Sequence, residues 1–309
     1  MFKKFFCILV LLPFFHLLSA QTVSVRLGLL KELSCLPCAY LIENNKKLAV
    51  QNISFQILDS PQAELSKLLQ GELDIGFLSP EDAAKVFTAG KGALLMLGVV
   101  QNKNLYLLTN DESYSSLDDL AGKKVLASGD KSDSSLFSYI LSKKNISLSQ
   151  GEEAVHLDFS IPRAEIPNHL ILKKENFALL CEPYSSIPQI YSKNVRIAES
   201  IHKLYAESEE GSLPPGMLLV VRADFAKENP DLTRRFCDVY KSAVLWTNKN
   251  SVKAVMLSKK FKILHFDRLP KTTISGAALV WRTSASAKSD IEHYLTILGR
   301  ELPGEEFYN

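Results

Sequence analysis

Apolar and polar positions along the chain follow two rhythms, a two-residue alternation and a helical spacing, in regular succession. Residues 23–29 alternate and are β-branched, which predicts a strand, and residues 35–43 follow as a helix with Ser34 as its N-cap. Residues 53–58 predict a second strand, and Ser60-Pro61 opens a helix carrying Ala63, Leu65, Leu68 and Leu69. The turn at Gly71-Glu72 leads into a short buried strand through Ile75 and Phe77. Ser79-Pro80-Glu81-Asp82 then caps a helix with acids suited to its dipole. Two further strands are predicted at residues 93–100 and 105–109, around a turn at 102–104.

A polar stretch at residues 111–116 reads as a crossing, after which the same grammar restarts. Strands are predicted at 124–127, 154–159 and 177–180, with helices at 132–142 and 162–172. Residues 207–216, with Pro214-Pro215-Gly216, form a second polar connection. A strand at 217–222 follows, then helix-like segments to the end. Successive βα units imply mostly parallel sheets covered by helices, so the fold class is α/β. Two matching halves joined twice predict two lobes: residues 21–112 and 216–309 in the first, 113–215 in the second. Hinges are expected near 109–113 and 213–217, with a cleft between the lobes. Ligands in open α/β sheets sit beyond the carboxyl ends of strands, at helix N-termini. The loops so placed are residues 31–38 and 78–82 from the first lobe and 128–135 and 181–185 from the second.

The first twenty residues change the composition. Lys3-Lys4, an apolar run over residues 5–18 and Ser19-Ala20 have the layout of a secretory signal peptide, with cleavage expected after Ala20. The run is too short, and too interrupted by Pro13 and His16, to span a bilayer. Position 21 is Gln rather than Cys, so lipidation is not expected, and the product is placed in the periplasm. The chain of 309 residues carries 36 Lys+Arg against 34 Asp+Glu. Removing Lys3 and Lys4 leaves 34 of each, so no global field remains to collect nucleic acid or an anionic membrane. Four cysteines stay beyond residue 20 (Cys35, Cys38, Cys181 and Cys237), too few for a disulfide scaffold.

Five stretches in colinear order resemble the periplasmic substrate-binding proteins of ABC importers, in the nitrate/taurine/sulfonate and thiamine-pyrimidine class. Lys67-Leu68-Leu69-Gln70-Gly71-Glu72-Leu73-Asp74-Ile75-Gly76-Phe77 is similar to their L-x-x-G-E-h-D-h-h step, where h is apolar, and Ala83-Ala84 to the alanine pair after it. Ser116-Leu117-Asp118-Asp119-Leu120-Ala121-Gly122-Lys123 resembles the S-L-x-D-L-x-G-K opening of their second lobe, and Glu182-Pro183-Tyr184 their E-P-[FY] step. Met217 through Phe225 with Glu228-Asn229-Pro230, and the tail from Ile291 to Tyr308, also have counterparts. The resemblance implies a type II periplasmic-binding-protein fold. It also implies capture of a small polar or heteroaromatic solute by lobe closure, a membrane permease as partner, a monomer, no cofactor and no enzymatic activity. At the first cleft loop the chain departs from the class, reading Lys31-Glu32-Leu33-Ser34-Cys35-Leu36-Pro37-Cys38 where relatives have Lys-Gly-Pro and small residues.

The ligand-contact residues expected from the cleft loops are Lys31, Ser34, Cys35, Tyr40, Leu78, Ser79, Ser128, Asp130, Ser132, Ser134, Glu182 and Tyr184. Each has a plainer alternative. The loop around Ser128 offers N–H groups and hydroxyls to a polar ligand, or simply caps the helix after it. Glu182 serves a ligand or locks the lobes, or is a structural carboxylate at a turn. Cys35 and Cys38 form a local disulfide or structural thiol pair, contact the ligand, or act as an exported thiol–disulfide site at a helix start. Trp246 and Trp281 read as packing residues. No HExxH, GxSxG or phosphate loop is present, and no His or Cys grouping has zinc spacing, so neither catalytic residues nor a metal are expected.

Overall fold

The computed structural model describes residues 24–44, 53–90, 92–129, 131–148, 151–264, 266 and 269–308. The expected signal segment and Asp130 lie outside them. The chain begins with β1 (Val25–Leu30), α1 (Leu36–Asn44), β2 (Ile53–Leu58), α2 (Pro61–Leu69), β3 (Ile75–Leu78), α3 (Pro80–Ala89) and β4 (Leu94–Asn102). It continues with β5 (Leu105–Thr109), β6 (Lys124–Ala127), α4 (Lys131–Lys143), β7 (His156–Asp158), α5 (Ile166–Ile171), β8 (Phe177–Cys181), α6 (Ile187–Tyr191), β9 (Arg196–Ser200) and α7 (Ile201–Ser208). It returns through β10 (Pro215–Arg222), α8 (Ala223–Glu228), α9 (Pro230–Lys249), α10 (Ser251–Lys260), α11 (Lys271–Gly276), β11 (Leu279–Thr283) and α12 (Ser284–Ile297).

Two sheets share one plan. The first runs β11-β4-β10-β3-β1-β2 and the second β7-β6-β8-β5-β9. In each, three parallel strands lie beside one antiparallel strand, β10 against β3 and β5 against β8, and a further strand pairs beyond it. That inserted strand is the one the chain enters immediately after crossing from the other lobe.

This corrects the first boundary. β5 belongs to the second sheet, so the chain leaves the first lobe at Lys103-Asn104 rather than in the polar stretch after Thr109. Asp111, Ser113, Ser115 and Asp119 form side-chain-stabilised turns within the second lobe. The returning crossing lies beside the outgoing one: Lys103 N–H donates to Pro214 C=O at 2.8 Å. At Gly216 an added Cβ would lie 2.9 Å from both Asn102 C and Lys103 N, so two backbones meet where a side chain has no room. Residues 279–283, read as helical from the sequence, form the edge strand β11, as suits a Leu-Val-Trp run.

Local chemistry fixes these elements. Ser60 and Ser79 cap α2 and α3, their hydroxyls accepting from Ala63 N–H at 3.2 Å and Asp82 N–H at 3.0 Å. Asp74 is buried and accepts from Arg26 N–H at 2.8 Å and Arg26 Nε at 3.0 Å, while its backbone bonds Arg26 of β1 and Arg222 of β10. One carboxylate thereby ties the central strands of the first sheet. Each lobe has its own apolar core, and Trp246 and Trp281 pack in the first, against Tyr40 and Tyr240. α12 bridges the lobes: Ile291 and Leu295 join the first core, whereas Tyr294 is buried in the second.

Candidate functional site

The loops that leave the carboxyl ends of β1, β3, β6 and β8 contribute Glu32, Glu81, Ser132 with Asp133, and Glu182 to the contacts around the crossing. Lys103 stands at the centre. Its ammonium lies 2.7 Å from Asp133 Oδ1 and donates to Ser132 Oγ at 2.8 Å, on the first turn of α4. Ser132 Oγ is 3.3 Å from the Tyr294 hydroxyl, which donates to Glu81 Oε1 of α3 at 3.3 Å. Ser128 donates to Asp133 at 3.3 Å, and the Cys181 thiol lies 3.6 Å from both Asp133 oxygens. A continuous polar path therefore runs from the first lobe through α12 to the N-terminus of α4.

Further contacts join the lobes, among them His293 with Glu209 at 2.7 Å and Arg300 with Ser135 at 3.1 Å. Arg163 reaches Glu32 at 3.4 Å, and its guanidinium stands over the Tyr184 ring at 5.3 Å. Tyr184 in turn packs edge-on against Phe266 of the first lobe, with centroids 5.5 Å apart. Glu182 accepts at both oxygens from the Ser186 hydroxyl at 2.6 Å and lies so close to α11 that a Cβ at Gly276 would be 2.9 Å from its Oε1. Burial pushes the Glu182 carboxyl above its ordinary range, against the opposing pull of the Ser186 and Ser185 hydroxyls. The carboxylates at Glu182, Asp133, Glu81 and Glu32 outnumber Lys103 and Arg163 at this junction.

The structure brings Ser128, Ser132, Glu182 and Tyr184 together, but disperses others of the expected set. Lys31 pairs with Asp59 at 2.5 Å on the surface. Ser34 is buried, and its carbonyl accepts from the Tyr240 hydroxyl at 3.2 Å. Tyr40 stacks on Trp246 at 4.4 Å, between α1 and α9. Leu78 ends β3 in the core, and Ser79 is taken up with capping. Ser134 lines a cavity of about 570 Å³ outside the cleft, with Ser138, Leu157, Phe159, Leu298 and Arg300.

Cys35 and Cys38 are fully buried free thiols, not a disulfide. Leu30 N–H donates to Cys35 Sγ at 3.2 Å. Burial pushes both thiols well above their ordinary range, and Glu64 adds to the effect on each. A thiolate nucleophile is the opposite of what this environment favours. Glu64 itself went unnoticed in the sequence. Its carboxyl lies between β1 and β3 where Gly28 and Gly76 leave room, accepts from Phe77 N–H at 3.0 Å, and is pushed up to about 8 by burial.

Lys103, Arg163, Tyr294 and Phe266 were also missed. A lysine between two asparagines reads as a solvated turn until the turn is known to be the crossing. Among the described residues no grouping of His, Cys, Asp and Glu could hold a metal, and no helix is long and apolar enough to cross a membrane.

No protein-family sequence model matches the chain, and no curated protein sequence matches it either. Solved structures do. An ABC transporter protein from Parabacteroides distasonis superposes with a TM-score of 0.76 at 18% identity, over 93% of this chain and 98% of that one. The periplasmic aliphatic sulphonate-binding protein SsuA from Escherichia coli gives 0.70 at 14% identity, over 93% and 92%. The periplasmic nitrate-binding protein NrtA from Synechocystis PCC 6803 gives 0.63 at 13% identity, over 89% and 80%. These likenesses establish the fold: two α/β lobes on the plan of periplasmic binding proteins.

Proposed function

We propose that this chain is an exported, non-enzymatic solute-binding protein that captures a small polar or heteroaromatic molecule between its lobes and delivers it to an ABC-type importer. The supporting observation is the junction itself. Polar groups from both lobes converge on a double crossing, and apolar packing between the lobes runs through α12 and its end, where Tyr294, Ile297 and Leu298 meet the second core. Such an arrangement suits hinge closure, with a ligand stabilising the closed form by touching both lobes. The fold shared with sulphonate- and nitrate-binding proteins supports the same reading. Ser128, Ser132, Glu182 and Tyr184 are the ligand contacts this reading favours, with Lys103 and Arg163 added to them. Periplasmic location and signal cleavage after Ala20 belong to the proposal.

The experiment is native mass spectrometry of protein purified without denaturation, followed by melting-temperature screens with nitrate, alkanesulfonates and thiamine-pyrimidine precursors. A co-purified small molecule, or a ligand that raises the melting temperature and compacts the protein in solution scattering, is expected. Tight binding with no compaction would sink the closure mechanism. The alternative use of Cys35 and Cys38 in thiol exchange has no support in their burial.

A further inference from the structure

The balance of charge over the whole chain hides a local imbalance. From Lys241 to Lys262 there are six lysines and no acid, covering the end of α9, all of α10 and the turn after it. All six lysines are exposed. α10 turns Ala254 and Ser258 into the protein and presents Val252, Lys253, Met256, Lys259 and Lys260 outward. Val252 and Met256, one turn apart on that face, are 61% and 66% exposed, and Leu245 on the last turns of α9 is 53% exposed. Lys260 is tied to Glu43 of α1 at 2.6 Å. Lys241, Lys249, Lys253 and Lys262 have no ion-pair partner among the described residues.

We propose that this face docks the protein on a membrane surface through anionic lipid headgroups. Exposed aliphatic side chains set among lysines are what an interfacial helix uses: the apolar groups enter the headgroup boundary while the lysine stems bend back towards phosphate. Each lysine near an anionic surface adds about 1 kcal/mol of attraction, and two weak signals together make a useful anchor. The residue types separate a lipid surface from an acidic protein. Protein interfaces favour arginine and aromatic anchors and are depleted in lysine, whereas residues 241–262 hold no arginine, and their one tryptophan is spent on Tyr40. Hydrated point charges on flexible stems suit a fluid layer of phosphates. A binding protein that rests on the membrane searches for its permease in two dimensions. This inference stands on α9 and α10 alone and does not depend on solute capture.

The test is co-sedimentation of the purified chain with phosphatidylcholine vesicles, with and without phosphatidylglycerol. Binding is expected only to the anionic vesicles, and is expected to weaken steeply with salt. The triple variant Lys249→Gln/Lys253→Gln/Lys262→Gln should bind roughly a hundredfold more weakly. Val252→Ser/Met256→Ser, with charge unchanged, should lose about tenfold. Unchanged melting temperatures would show that both variants fold. Equal binding to the two vesicle types, or a triple variant as good as the parent, overturns the proposal. No vesicle binding alongside binding to polyglutamate assigns the face to an acidic protein instead and equally overturns it.

Discussion

Lys103 and Asp133 meet 2.7 Å apart at the junction of the lobes, with side chains only 8% and 4% exposed. One comes from the crossing and the other from the first turn of α4, so the pair ties the crossing to the second lobe. It also fills the helix N-terminus with the protein's own charges. A ligand anion arriving there would have to displace Asp133 from Lys103 rather than enter a vacant anion site.

Lys103→Met should therefore destabilise the protein by about 3–5 kcal/mol, because Asp133 is left buried without its cation. Adding Asp133→Asn should recover much of the loss. Urea unfolding of the two single variants and the double variant measures this. A loss below about 1 kcal/mol in Lys103→Met would mean that the pair is solvated in solution.

The contact between Glu32 and Arg163 bridges the lobes through side chains 29% and 38% exposed. Its worth to global stability should be below about 1 kcal/mol. Its effect on lobe separation should be larger, since it joins a loop of one lobe directly to a loop of the other. Glu32→Ala is expected to raise the radius of gyration in solution scattering while leaving the melting temperature nearly unchanged. An unaltered scattering profile would count against these residues as a closure latch.

Glu64 predicts a pH dependence with a definite sign. Its folded pKa of about 8 lies above the ordinary 4.5. Below 4.5 both states are protonated and burial carries no ionisation cost. Between 4.5 and about 8 the unfolded chain ionises while the fold keeps its proton, so stability falls as pH rises and then levels off. The limiting loss is of the order of 5 kcal/mol. Glu64→Gln should be more stable than the parent at pH 8, by a margin that shrinks towards pH 5. Denaturant titrations at the two pH values decide it, and a constant margin would contradict it.

The thiols offer a quick check on the first cleft loop. Cys35 and Cys38 should resist a thiol reagent in the native protein and react on unfolding, because access and ionisation are both denied. Cys237, only partly buried, has its thiol pushed up to about 12 by burial and should also be slow. Rapid labelling of Cys35, located by peptide mapping, would show that the loop opens.

Much of the fold was legible because its determinants are local. The serine caps of α2 and α3, the acidic start of α3 and the apolar runs of β1, β3, β6 and β8 are all written in consecutive residues. Two of the stretches that resemble binding proteins turn out to be structural devices. Asp74 staples β1 to β10, Gly71 turns at φ +73°, and Asp119 caps the turn that opens at Ser116. Motifs of this kind specify a framework and are silent about what it holds, which is why the ligand contacts were read less well. Tyr40 and Cys35 follow the first strand in sequence, yet helical periodicity turns them inward, to Trp246 and the core. Lys103 could not be found by pattern, since two residues between strands look the same whether they turn a hairpin or join two lobes.

The inserted strand β10 has a consequence for how the molecule is made. The second lobe is one uninterrupted stretch, and all its strands exist once Ser200 has been synthesised. The first lobe begins earlier and finishes later. Until residues 215–222 emerge, nothing joins β3 to β4, and its sheet is held in two pieces with buried edges exposed. Vectorial synthesis ordinarily favours the N-terminal domain. Here the order inverts: the sheet begun second can close first, and the sheet begun first waits for residues 215–222. For the exported protein proposed above, that delay would keep half of the chain open to threading until nearly all of it has been made.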